Sequence, residues 1–304
     1  MITRRDFLKT SISFIITTFV STLFPKKVFS VLPPSQKRKS ILAVASGENK
    51  KELLKSALQS LGGIEKWVKS GNTVVIKPNA AWSRTPEEAA NVHPELAKAL
   101  IEICYEAGAR QVKVIEHPCD NPKSAFKING IQDAVAGTKA ELQALGDDND
   151  FVTVQVPQGK KLKKVDIAKE IQTADVFINM PIAKTHGTAT LTLGMKNHMG
   201  AVKNRWYFHI NNLHQCIADV STVLRPDLII VDATRLMLTN GPKGPGEVRI
   251  EDKVIVGTDQ VAVDSYAATL FGYKGTDIGH IAKAYEHGVG EIDLDKVEIR
   301  TSTV

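Results

Sequence analysis

The sequence has few cysteines, and none stand close together. Three occur among 304 residues, at positions 104, 119 and 216. An odd number at this spacing predicts neither a disulfide framework nor a Cys-x-x-Cys metal site. Cys119 directly follows a predicted strand and His117, so it is the thiol with the best case for reactivity, although a small packing side chain is the simpler interpretation.

Compact catalytic motifs are also missing. The phosphate-binding pattern G-x-x-x-x-G-K-[ST] is absent, and so is the H-E-x-x-H pattern of zinc hydrolases. No segment recurs at a fixed period, which excludes a solenoid or propeller. Any active site must therefore be assembled from residues that are distant in the sequence.

The net positive charge is concentrated at the start of the chain. The formal net charge is +6, and residues 1–30 contribute four of these charges through five lysines and arginines against Asp6. The rest of the chain is nearly neutral and has no run of Lys and Arg interleaved with aromatic residues. We therefore expect no nucleic-acid partner.

Residues 1–30 resemble a twin-arginine (Tat) signal peptide. Arg4 and Arg5 stand directly before Phe-Leu-Lys, and an apolar run follows from Ile12 to Phe24. The resemblance implies export of the folded protein by the Tat translocase to the periplasm or another extracytoplasmic space. The apolar run is shorter than the roughly 20 residues of a confident membrane span. The leader is therefore expected to be removed by cleavage. Because residues 28–30 form a poor cleavage site, the alternative is that the leader is retained and anchors the protein in the membrane.

After a polar linker at residues 31–39, residues 40–304 are predicted to form one α/β domain. Apolar runs alternate with amphipathic stretches, which indicates a mostly parallel sheet with helices on both faces. The segment from Glu247 to Val256 is predicted to add a small β-hairpin. Strands are predicted at 41–45, 73–76, 112–115, 151–156, 175–179 and 228–231. Helices are predicted at 51–61, 94–107, 131–145, 213–224 and 261–270.

Polar side chains follow four of the predicted strands. The carboxyl ends of parallel strands face one crevice, where ligands bind in open α/β sheets. We therefore expect the following residues to converge on one cavity: Lys77, His117, Lys184, His186, Lys196 and Asp232. Of these, His117, His186 and Asp232 are the candidate catalytic residues.

A basic, glycine-containing segment between positions 184 and 209 suggests anion binding. Gly194 and Gly200 flank Lys196 and Asn197, so the backbone could approach a ligand closely. The alternative is a basic loop that faces water. The candidate substrate-binding residues are Lys77, Asn79, Lys184, Lys196, Asn197 and Lys203.

Three histidines could hold a divalent transition metal. Imidazole nitrogens suit such ions, and the candidates are His186, His198 and His209. Their spacing matches no compact metal motif, and isolated histidines often make ordinary hydrogen bonds instead. The sequence does not identify the cofactor further.

Several segments together resemble the family called domain of unknown function 362. They are Val75 to Asn79, Lys184-Thr185-His186, Gly194 to Asn197 with Gly200, Pro226 to Asp232, and Val261 to Asp264. The resemblance runs from about residue 41 to 273. It implies a stand-alone domain or one that works with an iron–sulfur redox partner. A cluster within this chain is not expected, because the Cys-x-x-Cys-x-x-Cys run is absent.

Two functions from different classes fit these features. One is an exported enzyme that acts on a small anionic substrate, with lysines holding charge and His186 or His117 moving protons, with or without a metal. The other is a periplasmic binding or assembly protein that captures an anion or a metal without turnover.

Overall fold

The computed structural model describes residues 39–304, so the predicted leader and nearly all of the linker lie outside the described residues. The strands are β1 (Ile41–Ser46), β2 (Thr73–Pro78), β3 (Gln111–Glu116), β4 (Glu141–Ala144), β5 (Phe151–Gln155), β6 (Lys164–Ala168), β7 (Val176–Met180), β8 (Ile182–His186), β9 (Thr190–Thr192), β10 (Leu228–Met237), β11 (Val248–Gly257) and β12 (Glu298–Thr303).

The α-helices lie between these strands and are mostly short. They are α1 (Lys50–Ser60), α2 (Pro94–Glu106), α3 (Pro122–Ile128), α4 (Ile131–Ala136), α5 (Lys169–Thr173), α6 (Gly194–Asn197), α7 (Arg205–Ile210), α8 (Leu213–Ser221), α9 (Gln260–Thr269) and α10 (Gly279–Glu286). Within residues 39–304, every helix is too short or too polar to cross a membrane.

The central sheet is mostly parallel, as predicted. Its strand order is β12-β1-β11-β10-β7-β2-β3-β4. Strand β11 runs antiparallel to both of its neighbours, β1 and β10, whereas the ladders from β10 through β7, β2 and β3 to β4 are all parallel. Strand β8 pairs with β10 and forms an antiparallel hairpin with β9.

Each face of the sheet is covered by helices over its own apolar core. Successive residues of β2 alternate between the two cores: Val74 and Ile76 belong to the core that includes residues of α1 and α2, whereas Val75 belongs to the core that includes residues of α8, α9 and α10. This alternation follows from the two-residue period of a strand. Burial on both faces explains the nearly continuous apolar runs in the sequence.

The small antiparallel hairpin is present at a different place from the predicted one. Strands β5 and β6 form it as a separate two-stranded sheet, so the predicted strand near residue 151 belongs there. The segment from Glu247 to Val256, predicted as a hairpin, instead belongs, from Val248 onward, to the single strand β11 (Val248–Gly257). The polar pair Glu251-Asp252 looks like a turn in the sequence, but it lies where the register with β10 shifts between Ala233 and Arg235, and Asp252 has a φ of 46°. This is the geometry of a β-bulge.

The predicted helix over residues 131–145 was too long. Helix α4 ends at Ala136, and the chain then forms β4, which pairs with β3 at the sheet edge. A four-residue, half-exposed edge strand carries too little apolar pattern to be distinguished from the end of an amphipathic helix.

Candidate functional site

The candidate site lies at the carboxyl ends of the central parallel strands. From β2 the chain proceeds to β3 and β4 on one side of the sheet, and later to β7 and β10 on the other. Such a reversal of strand order leaves a crevice beyond the strand ends, because the following loops diverge to opposite sides. Lys77 lies near the end of β2, Glu116 ends β3, and Asn179 lies near the end of β7.

A cavity of about 480 Å³ occupies this crevice. This volume suits a small molecule. Its polar and charged lining residues are Lys77, Asn79, Glu116, Lys184, His186, Thr192, Lys196, Asn197, Arg205 and His209. Less polar groups complete the wall: Ala81, Trp82, Cys119, Met199, Gly200, Trp206 and Pro242.

A buried ion pair forms the floor of the cavity. Lys77 Nζ lies 3.0 Å from Glu116 Oε2, and both side chains are 1% exposed. Glu116 also accepts hydrogen bonds from the backbone N–H groups of Ala80 at 2.9 Å and His117 at 3.0 Å. Burial lowers the pKa of Lys77 and raises the pKa of Glu116. The attraction between the two groups opposes both pKa shifts, and it matters because an unpaired buried ion is costly.

Gly200 makes room for this ion pair. A Cβ atom at position 200 would clash with Glu116 Oε1 and with Lys77 Nζ. The carbonyl of Gly200 also accepts a hydrogen bond from the backbone N–H of His117 at 2.8 Å. Close backbone approach to the pair therefore requires glycine here.

Amide side chains link the ion pair to a second lysine. Asn197 Oδ1 accepts from Lys77 Nζ at 2.6 Å and from Asn79 Nδ2 at 3.0 Å. Asn197 Nδ2 donates to Asn179 Oδ1 at 2.8 Å. Lys184 Nζ donates to Asn79 Oδ1 at 3.0 Å and to the carbonyl of Ala90. We call Lys77, Asn79, Glu116, Lys184 and Asn197 the polar network.

Two lysines of the cavity have pKa values near neutrality. Burial, together with the nearby charge of Lys196, lowers the pKa of Lys184 to about 7. Burial, with smaller contributions from the charges of Arg205 and Lys77, lowers the pKa of Lys196 to about 8. Within residues 39–304, no side chain or carbonyl accepts a hydrogen bond from the Lys196 ammonium. An amine with such a pKa can give up or take a proton near neutral pH.

His186 is held as a neutral imidazole. Burial and the charges of Lys196 and Lys184 lower its pKa far below the ordinary value. Its Nδ1 accepts hydrogen bonds from the backbone N–H groups of Thr188 and Ala189, each at 3.2 Å. The ring proton therefore resides on Nε2, which makes Nε2 a hydrogen-bond donor.

Asp264 fixes helix α6, which carries Lys196 and Asn197. Its fully buried carboxyl group accepts from the backbone N–H groups of Gly194 at 2.7 Å and Met195 at 2.9 Å. Burial raises the pKa of Asp264 to about 7, against the opposing effect of these hydrogen bonds. Asp264 thus positions the cavity wall without lining the cavity.

Residues 74–269 match the family described as "Domain of unknown function (DUF362)". This is well over half of the chain. The chain belongs to this family.

Two known proteins resemble this DUF362 chain. A thylakoid-associated protein of Synechocystis sp. is 28% identical over 225 residues, which covers 69% of this chain and 66% of the relative. The solved lactate racemase apoprotein from Thermoanaerobacterium thermosaccharolyticum superposes with a TM-score of 0.50 at 15% identity, covering 79% of this chain and 58% of the racemase. The DUF362 chain thus covers about two thirds of the length of the thylakoid-associated protein and 58% of the length of the racemase. The likeness to the racemase is one of α/β fold.

Most of the predicted substrate-binding residues line the cavity. Lys77, Asn79, Lys184, Lys196 and Asn197 all do so. Lys203 does not: its ammonium pairs with Asp148 at 2.9 Å on the surface. Surface ion pairs of this kind contribute little to stability.

Two of the three predicted catalytic residues lie outside the cavity lining, whereas His186 lines it. His117 donates from Nδ1 to the carbonyl of Val202 at 2.9 Å and packs against the ring of Phe151. Asp232 lies inside β10, which extends to Met237, so it does not end a strand as the sequence suggested.

Asp232 acts on the site indirectly, through the loop that contains His93. It is fully buried, forms an ion pair with Arg235 at 3.0 Å and accepts from the backbone N–H of His93 at 2.7 Å. The segment before His93 includes Ala90, whose carbonyl accepts from Lys184. Asp232 therefore stabilises the loop that positions a cavity lysine.

The three predicted metal ligands are not brought together. His186 and His209 line the cavity, but His198 is fully buried and its Nε2 faces Gln260 Oε1 at 2.5 Å. Burial lowers the pKa of His198 to about 4. In the described part of the chain, no three His, Cys, Asp or Glu side chains are grouped closely enough to hold a metal ion.

Sequence reasoning did not select Thr192, Arg205 or the two tryptophans as site residues. Thr192 lies on β9, directly opposite Lys184 in the β8–β9 register. Arg205 donates to the carbonyls of His117 at 2.6 Å and Pro118 at 2.9 Å. Trp82 lies in the loop after β2, and Trp206 lies in α7; both line the cavity. Only the pairing of β8 with β9, which the sequence did not reveal, could have indicated Thr192.

Proposed function

We propose that this DUF362 chain is an enzyme that acts on a small anionic substrate bound in the cavity. The observation that carries the proposal is the excess of cationic groups over carboxylates in the lining. Glu116 is the one carboxylate among the lining residues, and Lys77 already pairs with it. Lys184, Lys196 and Arg205 are left without an anionic partner in the cavity. An anionic ligand would balance their charge.

Proton transfer is the chemistry that the lysines favour. An efficient general base has a pKa close to the working pH, and burial lowers the pKa of Lys184 to about 7, so Lys184 is the proposed base. Lys196, with a pKa of about 8, holds the substrate as an ammonium. The neutral Nε2–H of His186 can donate to an oxygen that gains negative charge during the reaction. We infer that the enzyme removes or adds a proton on carbon next to the carbonyl or carboxyl group of its substrate.

Proton exchange in heavy water tests this proposal. The protein is incubated in D₂O with small carboxylates, including lactate, glycolate and malonate, and loss of the proton signal next to the carboxyl group is followed by NMR. We expect exchange with at least one compound, and a loss of more than about 100-fold in rate for Lys184→Met or Lys196→Met. Lys203→Met is the matched control, because Lys203 is a surface cation outside the cavity lining.

Three results would separate the alternatives. Exchange that persists in both lysine variants would refute the assignment of Lys184 as the base and of Lys196 as the substrate-binding cation. Binding of a carboxylate with no exchange in any of these compounds would favour the second function, an anion-binding or assembly protein. Failure of every anion to bind would refute both functions.

We also propose that the protein is exported in folded form. The proposal is supported by the paired Arg4 and Arg5 before Phe-Leu-Lys and by the similarity to a protein named as thylakoid-associated. Fractionation of cells that express the full chain or its Arg4→Lys, Arg5→Lys variant tests it. An extracytoplasmic location that is lost in the variant is expected, and a location unchanged by the variant would contradict Tat export.

A further inference from the structure

Most hydrogen-bond donors of the polar network are used within it: Lys77 Nζ and Lys184 Nζ each donate to two acceptors, which leaves each ammonium one N–H for a ligand. Glu116 accepts from Lys77 and from two backbone N–H groups. Asn197 Oδ1 accepts a hydrogen bond from Lys77, and Asn79 Oδ1 accepts one from Lys184. These side chains hold one another in place, so they shape the cavity more than they offer contacts. Other groups of the lining therefore have to supply most of the contacts to a ligand.

Three donors of the lining have no protein partner in the chain from residue 39 onward. The Thr192 side chain is only 3% exposed and its hydroxyl makes no hydrogen bond. The Lys196 ammonium and His186 Nε2 are likewise without acceptors. Buried polar groups are nearly always paired in folded proteins, so an unpaired buried hydroxyl on a residue that lines the cavity indicates a missing partner.

These three donors belong to one wall. Lys184 and Thr192 are direct partners in the β8–β9 hairpin. His186 is two residues from Lys184, so its side chain lies on the same face of the hairpin as Thr192. Lys196 follows four residues after Thr192, on α6. The charge of Lys196 is close enough to His186 to lower its pKa.

We propose that Thr192, His186 and Lys196 form a seat for one carboxylate group of the ligand. This inference rests on the proposed function, because it places the anion within the same cavity. One ammonium and two neutral donors match a single negative charge spread over two oxygens. A phosphate dianion would leave one charge unbalanced at this seat.

Removal of the Thr192 hydroxyl tests the seat without changing charge. Thr192→Val keeps the shape of the side chain, and Thr190→Val is the matched control. Thr190 lies on β9, the same strand as Thr192, and pairs with His186 on β8, but it does not line the cavity. Affinities of the wild type and both variants for lactate, malonate and inorganic phosphate are measured by calorimetry, and melting temperatures are measured without ligand.

We expect Thr192→Val to weaken carboxylate binding by at least about fivefold, while Thr190→Val binds as the wild type does. Without ligand, Thr192→Val should melt at or above the wild-type temperature, because it removes an unpaired buried group. A purely structural hydroxyl would lower the melting temperature instead.

Other outcomes would overturn the seat. Carboxylate binding equal in the wild type and Thr192→Val would show that Thr192 makes no contact. Binding of phosphate but of neither carboxylate would show that the ligand class is wrong. If carboxylate binding is lost in Lys184→Met and unchanged in Thr192→Val, the seat fails while the proposed function stands. If neither carboxylate nor phosphate binds the wild type, both fail.

Discussion

Replacement of Lys77 by methionine should destabilise the protein strongly, and the loss should depend on pH. Lys77 Nζ and Glu116 Oε2 are 3.0 Å apart with both side chains 1% exposed. At an effective dielectric constant of roughly 20, the Coulomb attraction at this distance is about 5 kcal/mol. Lys77→Met removes that attraction but leaves the Glu116 carboxylate buried. We expect a loss of about 3–5 kcal/mol in the free energy of unfolding at pH 8.

The pH dependence follows from the direction of the Glu116 shift. Burial raises the pKa of Glu116 in the folded protein, and loss of Lys77 raises it further. A carboxyl group with a raised folded pKa is protonated in the fold at a pH where the unfolded chain is ionised, so the variant gains stability as the pH falls. The gap between Lys77→Met and the wild type should therefore narrow between pH 8 and pH 5.

Urea unfolding at several pH values measures the effect. The double variant Lys77→Met, Glu116→Gln should recover part of the loss, because no buried charge remains. Lys51→Met is the control: Lys51 pairs with Glu102 at 2.8 Å, but both side chains are 35% exposed, so a loss below about 1 kcal/mol is expected. A loss below about 1 kcal/mol for Lys77→Met, or one that is equal at pH 5 and pH 8, would refute this account.

Three further substitutions have clear expected outcomes. Lys196→Met should stabilise the ligand-free protein at pH 7 by about 1–3 kcal/mol, because burial lowers the pKa of Lys196 in the folded protein to about 8. For the same reason, the free energy of unfolding of the wild type should rise from pH 8 to pH 10 in urea titrations. A free energy that does not change over this range would contradict the prediction. Gly200→Ala should lower the free energy of unfolding by about 1–3 kcal/mol, measured by thermal unfolding, because the added Cβ clashes with Glu116. A variant as stable as the wild type would show that glycine is not required at position 200. Asp232→Asn should cost about 3 kcal/mol by leaving Arg235 buried without a carboxylate. The affinity for any carboxylate that binds, measured by calorimetry, should change less than twofold, because the amide oxygen can still accept from the backbone N–H of His93 and hold the loop. Selective loss of binding with unchanged stability would restore Asp232 as a site residue.

The sequence predicted the fold class through local patterns. Apolar runs such as residues 73–76 must be covered on both faces, and the amphipathic stretches between them supply the covering helices. It also predicted that Lys77 and Asn79 would lie at a ligand crevice, because they follow a parallel strand. These inferences need only the period of the pattern and the position of a residue relative to a strand end.

The tertiary structure decided which of the remaining polar residues belong to the site. Asp232 follows an apolar run just as Lys77 follows one, but β10 continues beyond it and Arg235 pairs with it. Thr192 resembles any other strand threonine in the sequence, yet its register opposite Lys184 places it in the cavity lining with a buried, unpaired hydroxyl. Strand length and register depend on contacts with distant partners, and local sequence does not encode those contacts.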